Sequence, residues 1–313
     1  MANQHFGNLG DVWKHLVVAE VLALERPRLY CETHAGTASY ALTHSPARDF
    51  GVYRILDGGA ASPAIASSRY YAELVAMADS GSDSARYPGS ALLAMSVLGV
   101  GSEYLFFDLD PQSIDSLRDA ARSLALTDLA QCEREDGLAA VCDACLVYSG
   151  DPANVVVHID PFDPFEETEP GLSAVGLASE LAGLGFKVVY WYGYDKMSDR
   201  GWPSKALNAG VGRSWCGDIT LRSNLENREA QSLSDITSIV GAGCSASTWV
   251  DRRSLRCNRL GRQSHRSTRR RATRATRSTS LTCSDAQPEH LLTAGQKTKP
   301  GRAFCRSQPP EPS

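Results

Sequence analysis

Apolar residues recur at helical spacing from near Val12 through residues 17–24 (VVAEVLAL), and Pro27 stops the pattern, which predicts an amino-terminal helix. Residues 29–31 form a short apolar run of strand type. Gly36 and a segment rich in Ala, Leu and Tyr follow, predicting a strand, a glycine turn and a helix. Residues 45–101 hold helical stretches such as SRYYAELVAMA and no convincing strand; they read as a small helical insertion ending in RYPGSALLAMSVLG. Alternation then resumes with a strand at 104–107 (YLFF), a helix at 111–124 and a helix at 138–147. Val155–Ile159 (VVVHI) predicts a buried strand, 172–184 a helix and 186–192 (FKVVYWY) a strand. Residues 205–209 and 218–222 suggest one more helix-to-strand unit, and 236–242 a last strand. Strands alternating with helices predict a doubly wound α/β domain, Rossmann-like, whose ligand sites form at the carboxyl ends of the strands.

Composition narrows the picture in three ways. No run approaches the roughly 18 to 20 apolar residues that a membrane-spanning helix needs. The opening residues, MANQHFGNLGDVWKH, lack the basic start and apolar core of a signal peptide, so a cytoplasmic chain is expected, without membrane partners. The nine cysteines, an odd number, then read as reduced thiols. Cys142 and Cys145 make a single CxxC with no second pair at zinc spacing, which predicts structural thiols and no metal.

Charge divides the chain. Residues 251–313 carry 15 Lys and Arg against 4 Asp and Glu, leaving 17 against 32 in residues 1–250. A folded acidic domain over 1–250 and a basic, disordered tail over 251–313 are expected, because the Arg, Ser and Thr of the tail cannot bury enough apolar surface to offset their ordering entropy. Three readings of that tail stay open: an arm contacting nucleic-acid phosphates, an appendage without a role, and a frameshift product beginning near residues 244–260.

Three predicted strand ends carry polar residues where an α/β site wants them. The first is Glu32-Thr33-His34-Ala35-Gly36, whose glycine allows close approach of a ligand to the backbone. The second is Asp108-Leu109-Asp110-Pro111, where a strand-end acid can accept two hydrogen bonds from a ribose diol. The third is Asp160-Pro161-Phe162.

These stretches, with His5-Phe6-Gly7-Asn8, Asp11-Val12-Trp13-Lys14-His15, Tyr87-Pro88-Gly89-Ser90 and Asp136-Gly137, fall in one order over residues 5–245. In that order the chain resembles the RlmJ-type methyltransferases, which use S-adenosylmethionine to methylate an adenine N6 of 23S rRNA. The resemblance implies that Glu32, His34 and Gly36 hold the methionine end of the cofactor, with His5 and Lys14 nearby. It implies that Asp108 binds the ribose hydroxyls and that Asp136 and Gly137 meet the adenine. The family's target motif is Asp-Pro-Pro-Tyr, in which the acid and a proline carbonyl accept hydrogen bonds from the exocyclic amine and the aromatic ring stacks on the extruded base. Here the motif reads Asp160-Pro161-Phe162-Asp163, with Asp in the stacking position, and the shifted copy Asp163-Pro164-Phe165-Glu166 does not restore it.

Asp160, Pro161 and Phe162 are therefore the expected catalytic set, with 23S rRNA the nominal substrate. Two other readings follow from the altered motif and the acidic domain. One is the same fold methylating another nucleobase or a small metabolite; the other is a non-catalytic cofactor-binding module that interacts with RNA.

Overall fold

A computed structural model of the chain describes residues 6–78, 85–161, 167–169, 171–193, 205, 207, 214–219 and 240–246. All of these lie in one compact unit, Met1–Ser267. The basic tail, 251–313, lies outside the described residues.

Helix α1 (Leu9–Glu25) begins where the Asn8 side chain accepts the Asp11 N–H, and the Asp11 carboxylate in turn accepts the Gly7 N–H. It ends at Arg26, in the left-handed region at φ 41°, one residue before Pro27. Strand β1 (Leu29–Glu32) follows, then β2 (Ser39–Ala41). The short helices α2 (Pro46–Arg48), α3 (Arg54–Gly58) and α4 (Pro63–Ala66) lead to α5 (Arg69–Ala78) and strand β3 (Arg86–Pro88). Then come α6 (Ser90–Leu98), β4 (Glu103–Phe107), α7 (Pro111–Ser123), β5 (Ala130–Glu133) and α8 (Gly137–Val147). Strand β6 (Val155–Ile159), the short β7 (Glu167–Glu169) and β8 (Leu172–Ser173), and α9 (Ala174–Gly183) precede β9 (Lys187–Tyr190) and β10 (Tyr192–Gly193). The last described strands are β11 (Ser214–Ile219) and β12 (Val240–Ala246).

The central sheet runs β5-β4-β1-β6-β9, every pair parallel. One residue, Trp191, separates β9 from β10, and β10 pairs antiparallel with β12, which pairs antiparallel with β11. Alternating side chains send Cys31, Val155, Val157, Ile159, Val188 and Tyr190 to one face, where α8 and α9 pack. Tyr30, Tyr104, Phe106, Val156 and Val189 point to the other, under α1, α6 and α7. All five residues of β6 are buried, so the strand has no solvent face to mark with polar residues.

The expected Rossmann-like architecture is present, with three corrections to the order of elements. No helix follows Gly36 directly: residues 39–41 instead pair antiparallel with Arg86–Pro88, a strand inside the segment read as wholly helical. That ribbon closes the insertion, whose Val52, Tyr70 and Leu74 pack with Val12 and Ala19 of α1 and Leu93 of α6. Helix α6, read as the insertion's end, belongs to the main fold, because Ala91, Ala94 and Met95 pack with Tyr30 and Phe106 of the sheet. Strand β5 was not expected at all; of its four residues only Cys132 is buried, too few to write a pattern.

Cys142 and Cys145 sit in the core beside Cys31, and the hydrogen bond with Cys31, together with burial, pushes the Cys145 thiol well above its usual range. Among the described residues no cluster of His, Cys, Asp and Glu could hold a metal ion, and no helix is long and apolar enough to cross a membrane.

Candidate functional site

The polar strand ends converge at the carboxyl edge of β1, β4, β6 and β9. Register explains why. Glu32 lies beside His158, and Ile159 beside Tyr190, so the next residues out, Thr33 to Gly36 on one strand and Asp160 and Trp191 on the others, share one rim. The Thr33 N–H donates to His158 O at 3.1 Å and the Trp191 N–H to Ile159 O at 2.9 Å, carrying the ladder past the last paired residues.

The turn after β1 is held from two sides. Gly36 adopts φ 60°, a conformation that an L side chain would strain. Its N–H donates to Asp108 Oδ2 at 2.8 Å, while Asp108 Oδ1 accepts the Asp110 N–H at 2.8 Å. A carboxylate offers about four lone-pair sites, so Asp108 retains acceptor capacity for a ligand hydroxyl. Asp136 caps α8, its Oδ1 accepting from Leu138 N–H at 3.0 Å and Ala139 N–H at 3.2 Å. A Cβ on Gly137 would fall 1.8 Å from Thr33 O, so the start of α8 meets the turn backbone to backbone and tolerates no side chain.

Glu32 is buried below this surface. It accepts from Ser90 Oγ and from Tyr30 OH at 3.2 Å, and lies 3.0 Å from His158 Nδ1. It therefore anchors the turn from beneath; of the residues that follow, Thr33 and Ala35 are buried and His34 and Gly36 are partly exposed. His34 Nδ1 lies 2.7 Å from Thr33 Oγ1. Burial holds the His34 ring below its usual pKa although Asp160, Asp108 and Asp136 oppose that shift.

Asp160 is bound to α1. Lys14 Nζ donates to Asp160 Oδ2 at 2.7 Å and lies 3.0 Å from Asp11 Oδ1, so one ammonium bridges two carboxylates. Burial alone would raise the Asp160 carboxyl, but Lys14 and the nearby histidines outweigh it and hold the group ionised below its usual range. Burial likewise works against the Lys14 charge, and the two carboxylates more than restore it, raising its pKa. His15, on the same helix, lies 2.9 Å by Nδ1 from Tyr87 OH and 3.4 Å by Nε2 from Asp11 Oδ1. The Trp191 ring completes this corner, its centroid 6.0 Å from Lys14 Nζ.

Of the residues singled out in the sequence, Lys14, His34, Gly36, Asp108, Asp136, Gly137, Asp160 and Pro161 lie along this rim, and Glu32 lies beneath it. His5 and Phe162 lie outside the described residues. Lys14 is engaged by Asp11 on its own helix and by Asp160, 146 positions away, a contact without a local signature. Asp11, His15 and Ser90 stood in the quoted stretches without a role, and His158 and Trp191 were not singled out. The Asp11, Lys14 and His15 spacing, three and four apart, was the available signal for one shared helix face.

No family model and no curated protein matches the chain. A solved Legionella pneumophila protein of family DUF519 superposes with TM-score 0.61 at 17% identity, covering 80% of this chain and 90% of its own. A methyltransferase from Geobacter sulfurreducens gives TM-score 0.36 at 9% identity, covering 74% and 78%. An O-methyltransferase from Streptomyces achromogenes, solved with S-adenosylmethionine, gives 0.37 at 10%, covering 75% and 79%. The first of these likenesses extends over most of both chains and agrees with the Rossmann-like sheet described above.

Proposed function

We propose that this chain is an S-adenosylmethionine-dependent methyltransferase whose acceptor is an exocyclic amine on a heteroaromatic ring, nominally an adenine N6 of 23S rRNA as in the RlmJ-type enzymes it resembles. The observation that carries the reading is the convergence on one sheet rim of the Gly36 turn, Asp108, the Asp136 cap and Asp160.

The residues suit that cofactor. Gly137 leaves only backbone where α8 meets the turn, Gly36 gives the turn its positive φ, and Asp108 and Asp136 each keep acceptor capacity beyond their backbone bonds. Asp108 would hold the ribose hydroxyls, Asp136 the adenine amine, and the turn at 33–36 the methionine end. The bound cofactor supplies an electrophilic methyl on a sulfonium that is already a good leaving group. What remains for the protein is orientation. Asp160, kept ionised by Lys14, accepts a hydrogen bond from the amine and so fixes where its lone pair points. Pro161, the next residue, is buried.

The acidic balance of residues 1–250 favours a second reading, in which the acceptor is another nucleobase or a smaller molecule, since rRNA binding requires phosphate neutralisation. Transfer of labelled methyl separates the two. The first reading expects label in protein-free 23S rRNA, lost in Asp160→Asn; an unlabelled RNA beside a labelled small-molecule extract overturns it in favour of the second. Thermal stabilisation by S-adenosylhomocysteine tests the cofactor site beneath both, and no shift far above the expected affinity would overturn both.

A further inference from the structure

The target motif lacks its aromatic residue, because Asp163 stands where the family has a ring. Trp191 lies on the neighbouring strand end. We propose that Trp191 supplies the stacking surface for the methyl acceptor, which makes that acceptor a planar heteroaromatic amine. The inference rests on the methyltransferase reading and deepens it.

Three observations place the ring. The Ile159 to Tyr190 pairing and the Trp191 N–H to Ile159 O bond put Trp191 laterally beside Asp160, and adjacent strands lie about 4.8 Å apart. Alternation along β9 sends Val188 and Tyr190 to the α8/α9 face and Val189 to the α1 face, so Trp191 shares the α1 face with Lys14. The ring centroid is 6.0 Å from the ammonium whose Nζ is 2.7 Å from Asp160 Oδ2. Ring, cation and carboxylate thus form one cluster.

Trp191 is also not consumed by the core. Its neighbours Tyr190 and Tyr192 are buried and stack on each other at 6.2 Å, whereas Trp191 is half-buried and belongs to none of the three apolar clusters among the described residues. A large indole that stays partly accessible, with Lys14 over one side of its ring, stands beside an ionised carboxylate; the acceptor's ring would stack on the indole and its amine would donate to the carboxylate. A heteroaromatic amine uses both. An aliphatic amine or a hydroxyl would use only the carboxylate.

The test compares the full chain with Trp191→Phe and Trp191→Leu, using a short single-stranded RNA carrying 2-aminopurine, whose emission falls when it stacks. S-adenosylhomocysteine is present throughout, and its thermal stabilisation of each variant is measured separately. The expected result is quenching by the wild-type chain and by Trp191→Phe, with affinity within about threefold. Trp191→Leu keeps the cofactor stabilisation, loses the quenching and binds at least about tenfold more weakly, the scale of one base-to-aromatic stack. Equal binding and quenching by Trp191→Leu overturns the inference, as does a wild-type chain that is stabilised by S-adenosylhomocysteine yet neither binds nor quenches the probe. A wild-type chain that S-adenosylhomocysteine does not stabilise overturns the cofactor reading first, and the inference falls with it.

Discussion

Replacing Lys14 by Met removes the cation that Asp11 and Asp160 share. Nζ lies 2.7 Å from one carboxylate and 3.0 Å from the other, and the Lys14 and Asp160 side chains are only 12% and 18% exposed, so water screens the contacts weakly. At an effective dielectric of about 20, each contact gives roughly 6 kcal/mol of attraction. Removing three charged groups from water takes back several kcal/mol for each, and the two carboxylates repel each other. What decides the outcome is what stays behind. Lys14→Met leaves two buried carboxylates facing one another, and breaking a buried pair from one side costs about 3 to 5 kcal/mol. Asp160→Asn leaves Lys14 paired with Asp11 and should cost about 1 to 2 kcal/mol. In the double variant Asp11 keeps its Gly7 N–H and His15 contacts, and the cost should fall short of the sum by about 2 kcal/mol. Urea unfolding of the four chains measures this directly. With a slope of about 3 kcal/mol/M, Lys14→Met should lower the midpoint by at least about 1 M. Additive costs, within about 0.5 kcal/mol, would refute the pairing as the tie between α1 and the end of β6.

The same helix predicts how stability depends on pH. His15 titrates at 6.5 when unfolded but is held by burial at about 4 when folded, so below pH 6.5 the unfolded chain binds a proton that the native chain refuses. About 3 kcal/mol of stability is therefore lost as pH falls from 6.5 to 4, and a midpoint-against-pH curve should flatten over that window in His15→Gln. Asp11 works lower down. Burial opposes its charge, yet His15, Lys14 and the Gly7 N–H carry its pKa from 3.8 to about 2, so a further loss of about 2 kcal/mol falls between pH 4 and 2. Gly137→Ala should cost at least about 2 kcal/mol and abolish stabilisation by S-adenosylhomocysteine, because its Cβ meets the Thr33 carbonyl. Gly58→Ala, which meets nothing within 4 Å, should instead be neutral or stabilising by up to about 1 kcal/mol; equal effects in urea would show that the Thr33 contact is unimportant.

How much of this was legible in the sequence depended on what each element buries. Strand β6 could be read because both its faces are covered, which forces five consecutive buried positions. Helix α7 was equally clear, since Ile114, Leu117 and Ala121 recur at helical spacing under an otherwise polar surface. Strand β5 lies at the sheet's edge and buries only Cys132, so its place comes from pairing with β4 and leaves no local pattern. Residues 39–41 and 86–88 fail for a related reason: each is three residues long, and only their mutual pairing across the insertion makes them strands.

The site divides along the same line. Its turn and caps are local chemistry: Gly36 needs a positive φ, Asp136 caps the helix that begins one residue later, and Gly137 is required by a close approach, so residue type and neighbours name them. The corner around Asp160 is different in kind. Lys14 comes from a helix 146 positions away and Trp191 from the next strand, and nothing in either neighbourhood announces that they meet. Only the parallel register of β6 with β9, and α1 lying across the same face, bring cation, carboxylate and indole together. A motif read along the chain finds Asp163 where a ring is expected and records a loss. Read across the strands, Trp191 stands beside the same carboxylate, which is why the proposed stacking role falls to the neighbouring strand end.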